Sequence, residues 1–366
     1  MKKKKITYFF IAGRKNRIER NDNSFAKEFF YGYFHFKNLY KNVEVIEFKD
    51  SRSLLHPFYK LLNKLTSLPI YGDYLVNNRN YKILKSTENA IFTNQNTAFS
   101  ALPLIVFSKL FHKVKSHIFI MGLFGKKMNY KIKDIFRNLF INLLIYFSEN
   151  LIFLGQGELD LAKTKFPKYA EKFKFIPFSV DVNFWTEKSI VNNSPQILFI
   201  GNDGMRDYEF LHKLTSKMED INFHIVSKNV DIFKFGPNTT IHNGSWRSEE
   251  LDDSFIRKLY HNSSLTLLPI KETFQPSGQS VALQSMSCGT PVLITKTEGF
   301  WDNSNFINGK NIFFQKNNNL IDWESMIRKI LKEKNVLNQV SKNSRELVVN
   351  TYNLDTFNSK LEKLIN

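Results

Sequence analysis

The stretch Gln275 to Thr295, QPSGQSVALQSMSCGTPVLIT, constrains this chain more than any other. Pro276 and Gly278 mark a turn, and Ser277 or Ser280 can cap a helix whose apolar positions Val281, Leu283 and Met286 follow. That helix stops at Gly289, a residue suited to a left-handed C-cap. Pro291 then opens Val292-Leu293-Ile294, short and β-branched enough for a buried parallel strand. The start of a helix presents N–H groups that lack intrahelical acceptors and the positive end of the dipole, so small residues before it let a phosphate approach. An ordinary capped helix in an α/β domain accounts for the same residues, and the local pattern leaves both readings open.

The rest of the chain alternates strands and helices. Lys5 to Gly13 reads as a buried strand behind a charged tail, Ser24 as the cap of a helix through Phe30, Tyr33 and Phe36, and Asn42 to Phe48 as the next strand. Arg52 to Ser67 and Lys82 to Lys85 read as basic helices, Asn89 to Gln95 as a strand and Thr97 to Phe111 as one apolar helix. His117 to Met121 is a strand and Lys131 to Phe147 a basic amphipathic helix, with Leu151 to Leu154 and Phe173 to Pro177 closing a first sheet. This alternation implies a parallel sheet with helices on both faces, whose ligands bind at the strand C-ends. Gly13 and Arg14, with Lys15 and Arg17, fall at such an end, although a solvated basic loop fits them equally.

After the polar stretch Thr186 to Gln196, which suits a linker, the pattern repeats. Ile197 to Ile200 is a strand, followed by Gly201-Asn202-Asp203-Gly204-Met205-Arg206-Asp207. Tyr208 to Lys217 reads as a helix, Phe223 to Val226 and Thr240 to His242 as strands, and Glu249 to Tyr260 as a helix with Asp252-Asp253 on a solvated acidic face. Leu265 to Leu268 precedes the opening stretch, and helices from Leu320 finish the chain.

Length supports two domains, since 366 residues are long for one core. The single cysteine, Cys288, rules out an internal disulfide framework and fits a reducing compartment. The histidines show no HExxH or Cys/His spacing, so no metal site is expected. Ile6 to Ala12 is too short for a signal peptide, and Ile135 to Leu154 is broken by polar and charged residues, so a cytoplasmic location is expected. Charge is uneven: residues 1–186 carry 31 Lys+Arg against 14 Asp+Glu, while residues 187–366 carry 21 against 20. The first half should therefore meet an anionic partner, a nucleic acid or an anionic membrane surface.

Leu283 to Val292 (LQSMSCGTPV) closely matches the second half of E-G-F-G-x-P-x-x-E-A-M-A-C-G-x-P-V, and the stretch resembles the nucleotide-sugar corner of retaining glycosyltransferases of the family 4 type. Aligned without a gap, Pro276 and Gln284 stand where that family has its two glutamates, so the E-x7-E pair is absent; with a short insertion, Glu272-Thr273-Phe274 represents the E-G-F piece. The form S-G-Q-S-V-x-L-Q, found in one branch of the family, is close to Ser277 to Gln284. Ser179-Val180-Asp181 and Phe184 resemble the interdomain G-V-D-x-x-x-F. Arg206 falls where the lysine of G-R-x-x-x-K-G is expected, with Asn202 in place of the first cation. Asn305 to Phe314 resembles the D-G-x-N-G turn and strand.

The resemblance implies the α/β GT-B fold, two Rossmann-like domains with a cleft between them: residues 1–186 as acceptor domain, 187–350 as nucleotide-sugar donor domain, and 351–366 as a helix crossing back. It implies transfer of a sugar from a nucleoside diphosphate sugar to a glycan or lipid-linked acceptor, with retention, in bacterial surface polysaccharide or lipopolysaccharide synthesis. Gly201, Asn202, Arg206, Ser277, Gly278, Gln279, Ser280 and Gln284 would bind the donor, Glu272 would contact sugar hydroxyls, and Gly13 and Arg14 would face the acceptor. Arg206 and the N–H groups near Ser277 would stabilise the leaving diphosphate with no metal and no further cofactor. The basic first domain would touch an anionic membrane. Two other classes stay open: a catalytically inactive scaffold of the same fold, which the missing glutamates favour, and a nucleic-acid-binding protein, for which no recognisable motif is present. No G-x-G-x-x-G follows the first strand, which disfavours a dinucleotide dehydrogenase.

Overall fold

The computed structural model describes residues 2–20, 24–49, 53–125, 131–187, 195–230, 233–243 and 251–366. They contain two six-stranded sheets whose pairings are all parallel. The first holds β1 (Lys2–Phe10), β2 (Tyr40–Glu47), β3 (Asn89–Phe92), β4 (Lys115–Ile120), β5 (Asn150–Phe153) and β6 (Phe173–Phe175), in the order β2-β1-β3-β4-β5-β6. The second holds β7 (Gln196–Ile200), β8 (Asn222–Val226), β9 (Thr239–His242), β10 (Leu265–Leu268), β11 (Val292–Thr295) and β12 (Phe313–Gln315), in the order β12-β11-β10-β7-β8-β9. Strands β3, β5, β10 and β11 are buried at every position, as expected of apolar runs covered on both faces.

The chain divides into two compact units, Met1–Asn21 with Phe30–Ile176 and Asn358–Asn366, and Asp22–Phe29 with Pro177–Phe357. The boundary drawn from sequence at 186/187 lies inside the second unit. Residues before it are fastened there: Val180 N donates to Tyr352 O at 2.8 Å, and Ser287 Oγ donates to Trp185 O at 2.7 Å. The helix Leu354–Ile365 contributes its residues from Asn358 onward to the first unit.

In the first unit, Phe9, Phe92, Ile118 and Phe153 belong to one apolar cluster with Tyr59, Leu84, Ile105, Ile141 and Leu159. The helices His56–Thr66, Asn78–Lys85, Leu102–His112, Lys131–Phe147 and Gln156–Lys165 therefore share one core on that sheet. In the second unit, Ile197, Phe223, Leu267 and Leu293 pack with Phe210 and Leu214 of the helix Tyr208–Lys217 and with Trp323 of the helix Leu320–Lys332. Each such side chain contributes roughly 1.5–3 kcal/mol when fully buried.

Several local expectations are corrected. The lysines before Ile6 are part of β1 and no loose tail: Lys5 Nζ pairs with Glu44 of β2 at 2.8 Å. No helix starts at Ser24. A 3-10 turn forms at Glu28–Phe30, Tyr31 and Gly32 take left-handed conformations that interrupt any helix, and the helix begins at Tyr33. The apolar run 97–111 makes two helices, Gln95–Ser100 and Leu102–His112, because Pro103 lacks an N–H to donate and is tolerated only in a first turn. The acidic pair also differs from expectation. Asp252 caps the helix Asp253–Asn262 by accepting Phe255 N at 2.6 Å, and Asp253 is buried, accepting Ala26 N at 2.9 Å. The part of the expected helix at 249–250 lies outside the described residues.

Candidate functional site

In the second sheet the chain leaves β7 toward β8 and β9 on one side, and returns through β10 to β11 and β12 on the other. The loops after β7 and β10 thus emerge side by side where the winding reverses, the usual place for a ligand in an open parallel sheet. Residues 201–207 and 269–278 occupy these loops, and their backbones are tied together. Asp207 N donates to Pro269 O at 3.0 Å, Lys271 N to Met205 O at 2.8 Å, and Arg206 bridges Ile270.

Arg206 is the centre of this corner and is 3% exposed. Its Nη1 donates to Asp203 Oδ2 at 3.0 Å and to Ser277 Oγ at 2.5 Å, and Ser277 Oγ donates to Asp203 Oδ2 at 2.8 Å. Its Nε points to Ile200 O at 3.4 Å, while Nη2 makes no hydrogen bond among the described residues. Burial pushes the guanidinium pKa down and the Asp203 carboxylate opposes that, so the charge is retained by pairing. The partner is Asp203, and Asp207 instead caps the helix Tyr208–Lys217 by accepting Phe210 N. Gly201 is required by this geometry, because a Cβ there would lie 2.4 Å from Arg206 Nε.

Ser277 therefore anchors the cation and does not cap the next helix. The N-cap of Gln279–Ser287 is Gly278, with φ 82° and no side-chain cap bond. Ala282 N donates to Gly278 O, so the N–H groups before it have no intrahelical acceptor. They follow directly on Ser277, the Arg206 partner. A guanidinium and a helix start brought to one place make a cradle for an anion. Gly289 has φ 74° just past the helix, as a C-cap glycine should.

The other candidates are placed differently. Asn202 turns to the loop after β8, where its Oδ1 accepts Lys228 N at 2.7 Å. Glu272 is exposed, and its Oε1 accepts the N–H groups of Thr273 and Glu298 at 3.1 and 2.9 Å, fastening two loops. Gln279 is buried and Ser280 is half-buried at the helix start. Gln284 lies deeper and is committed to protein partners: its Nε2 donates to Glu28 Oε1 at 2.8 Å and its Oε1 accepts Tyr260 Oη–H at 3.2 Å. Gly13 and Arg14 are in the first unit, after β1, where the order of that sheet also reverses. They belong to no solvated basic loop. Arg14 and Arg17 are buried, the Arg14 guanidinium stands 5.8 Å from the Phe30 ring, and Glu47 Oε1 accepts the N–H groups of Arg14 and Lys15.

Sequence reasoning missed two residues. Asp203 was legible in principle, standing three positions before Arg206, a spacing at which side chains meet in a turn. Glu28 was not. It is fully buried in the second unit, holding Trp185 Nε1 and Gln284 Nε2 on Oε1 at 2.8 Å each, and burial pushes its pKa up to about 7, with nearby Asp253 adding to the rise. Among the described residues no cluster of three or more His, Cys, Asp or Glu side chains is placed to hold a metal ion.

No family model and no curated protein matches the chain by sequence. Solved structures do match its fold. Sucrose-phosphate synthase from Thermosynechococcus elongatus aligns over 99% of this chain and 98% of its own with a TM-score of 0.72 at 13% identity. The Anabaena protein HepE in complex with UDP-glucose aligns over 98% of both chains with a TM-score of 0.68 at 13% identity. The catalytic domain of starch synthase IV from Arabidopsis thaliana, bound to ADP and acarbose, aligns over 100% and 99% with a TM-score of 0.63 at 10% identity. The fold is GT-B. At such identities the likeness is one of architecture. The place of the Arg206 corner, at its sheet's reversal point, follows from the strand order alone.

Proposed function

We propose that this chain is a glycosyltransferase that takes a sugar from a nucleoside diphosphate sugar, with retention, and passes it to a glycan or lipid-linked acceptor. The observation that carries the reading is the pairing of buried Arg206 with Ser277 beside the uncapped start of Gln279–Ser287. As the sugar–phosphate bond breaks, charge gathers on the leaving diphosphate. Arg206 Nη2 and the N–H groups after Gly278 would meet that charge, so no metal ion is required for this part of the step. Gly201 and Ser277 hold Arg206 in place, and Glu272, with one oxygen uncommitted, would meet the sugar hydroxyls. Asn202 shapes the loop and Gln284 supports the donor helix from within. The acceptor would approach Gly13 and Arg14, and the basic first unit would rest on an anionic membrane on the cytoplasmic side. Bacterial surface polysaccharide or lipopolysaccharide synthesis is the setting this combination suits.

One observation favours a second reading, an inactive scaffold of the same fold: Gln284, at a family glutamate position, is already satisfied by Glu28 and Tyr260. The test is a thermal-shift panel of UDP, GDP, ADP and CDP with their sugar conjugates, with NAD and single-stranded DNA as controls. A midpoint rise with one nucleoside diphosphate, lost in Arg206→Ala, supports the donor site, since ligand binding to the folded state stabilises it. Hydrolysis or transfer of the matching sugar then separates enzyme from scaffold. A shift with DNA alone overturns both.

A further inference from the structure

The first unit carries an apolar surface that its own core does not use. The helix Lys131–Phe147 packs against both His56–Thr66 and Leu102–His112, and all three bury residues in the same cluster on the first sheet. A helix that buries one stripe in a core normally turns a polar stripe to water. Here the outer stripes are apolar. Phe58 and Leu61 on the first helix, Phe107 and Phe111 on the second, and Leu139 and Tyr146 on the third each expose half or more of their surface. Tyr59, Ile105 and Leu144 of the same helices are buried, so the exposed side chains lie on the faces turned away from the sheet. In the second unit the large exposed apolar residues among those described are Ile307, Ile321 and Val336, scattered singly over separate elements. Isolated exposure of that kind is ordinary, whereas three adjacent stripes are not.

Cations accompany the apolar stripes. Lys60 and Lys64 are exposed on the first helix, Lys113 just past the second, and Arg79, Lys82 and Lys85 on the helix Asn78–Lys85 that packs beside it. Asp134 is the one carboxylate in the sequences of the three helices. Two copies of this face would bring like charges together, which disfavours self-association. Among the described residues no helix is long and apolar enough to cross a membrane. Aromatic and aliphatic side chains on helix faces ringed by lysine fit the boundary between phospholipid headgroups and acyl chains.

We propose that this three-helix face docks flat on an anionic phospholipid bilayer, with Phe107, Phe111 and Leu139 entering the acyl boundary and the lysines on headgroup phosphates. The proposal deepens the membrane contact named above and rests on that part of the reading; it does not depend on sugar transfer. The test is co-sedimentation of the full chain with vesicles of phosphatidylglycerol and phosphatidylcholine, against phosphatidylcholine alone, at low and high salt. Wild type should favour the anionic vesicles. Phe111→Glu with Leu139→Glu, both at exposed positions, should weaken binding at least about tenfold at either salt, since insertion scales with buried apolar area. Lys60→Glu with Lys64→Glu should weaken it mainly at low salt. Unchanged far-UV circular dichroism and an unchanged midpoint in thermal melts followed by it, which report the helices of both units, would show that each variant is folded. Vesicle binding that the Phe111/Leu139 variant retains would overturn the face and leave a charge-driven membrane contact standing. No wild-type binding to any vesicle would overturn both. A concentration-dependent dimer abolished by the same variant would also overturn the proposal, assigning the face to a second copy.

Discussion

Replacing Glu28 by glutamine should stabilise the second unit at neutral and alkaline pH and leave it nearly unchanged in mild acid. Glu28 is fully buried, and its pKa is pushed from an ordinary 4.5 up to about 7, chiefly by burial. In the folded chain it therefore holds a proton that the unfolded chain releases at lower pH. Wherever the folded state binds more protons, stability falls as pH rises, so the loss begins near 4.5 and is complete just above 7. The interval corresponds to roughly 3 kcal/mol, counted against the protonated state. The neutral amide of Glu28→Gln would mimic that protonated state. Both short side-chain hydrogen bonds, from Trp185 Nε1 and Gln284 Nε2, end on Oε1, which glutamine keeps, and the long contact from Asp181 N to Oε2 at 3.4 Å is lost. Urea unfolding followed by tryptophan fluorescence measures the effect, because Trp185, Trp301 and Trp323 are buried in this unit. The first unit's Glu158, also raised to about 7 by burial, shares the sign and is not read by this probe. Glu28→Gln should match wild type within about 1 kcal/mol at roughly pH 5 and exceed it by about 2 kcal/mol at roughly pH 8. Glu28→Ala should lose about 2–4 kcal/mol at both, since it strands an indole N–H and an amide. A Glu28→Gln advantage no larger in alkali than in mild acid would refute the reasoning.

Gly201→Ala should cost about 1–3 kcal/mol in urea unfolding, because the new Cβ meets the pinned Arg206 Nε at 2.4 Å, and it should abolish the nucleotide-dependent thermal shift; a stable variant with an intact shift would count against the rigid corner. Asp203→Asn removes the carboxylate that pairs with Arg206, so the ligand-free midpoint should fall while the rise on adding the nucleoside diphosphate grows. An unchanged increment would show that Asp203 does not compete with phosphate for that guanidinium.

What the sequence disclosed depended on how local the determining interaction was. The helices Tyr208–Lys217 and Lys131–Phe147 and the strand Leu265–Leu268 lie where periodicity places them, because each is specified by its own apolar pattern. The run 97–111 departs from its pattern for a local reason as well: apolar periodicity continues through Pro103, while one helix cannot, because proline has no N–H to donate. Asp252 and Asp253 have the pattern of a solvated face, since charge usually goes with exposure, yet one is a cap and the other a buried acceptor. In the site, Gly201, Arg206, Ser277 and Gly278 came from motif spacing, and the fold brings them together. Glu28 and Gln284 are 256 residues apart and neither stands in a pattern that anticipates the other, so their bond was invisible to any reading along the chain.

The Arg206 corner also shows why its sequence departs from a bare pair of cations. A lone guanidinium at 3% exposure would be costly to desolvate, by several kcal/mol. Asp203, one-third exposed, offsets that cost while the site is empty, and Ser277 fixes the pair from the opposite loop. Nη1 is spent on this support, and Nη2 is the part of the fork not so used. One guanidinium thus joins the loops after β7 and β10 and keeps Nη2 over for the anion that the proposed donor site would hold. That division of labour needs the planar, five-donor fork of arginine, which a lysine ammonium at position 206 would not reproduce. It also accounts for Asn202, which is freed from charge pairing and bonded instead to the loop after β8.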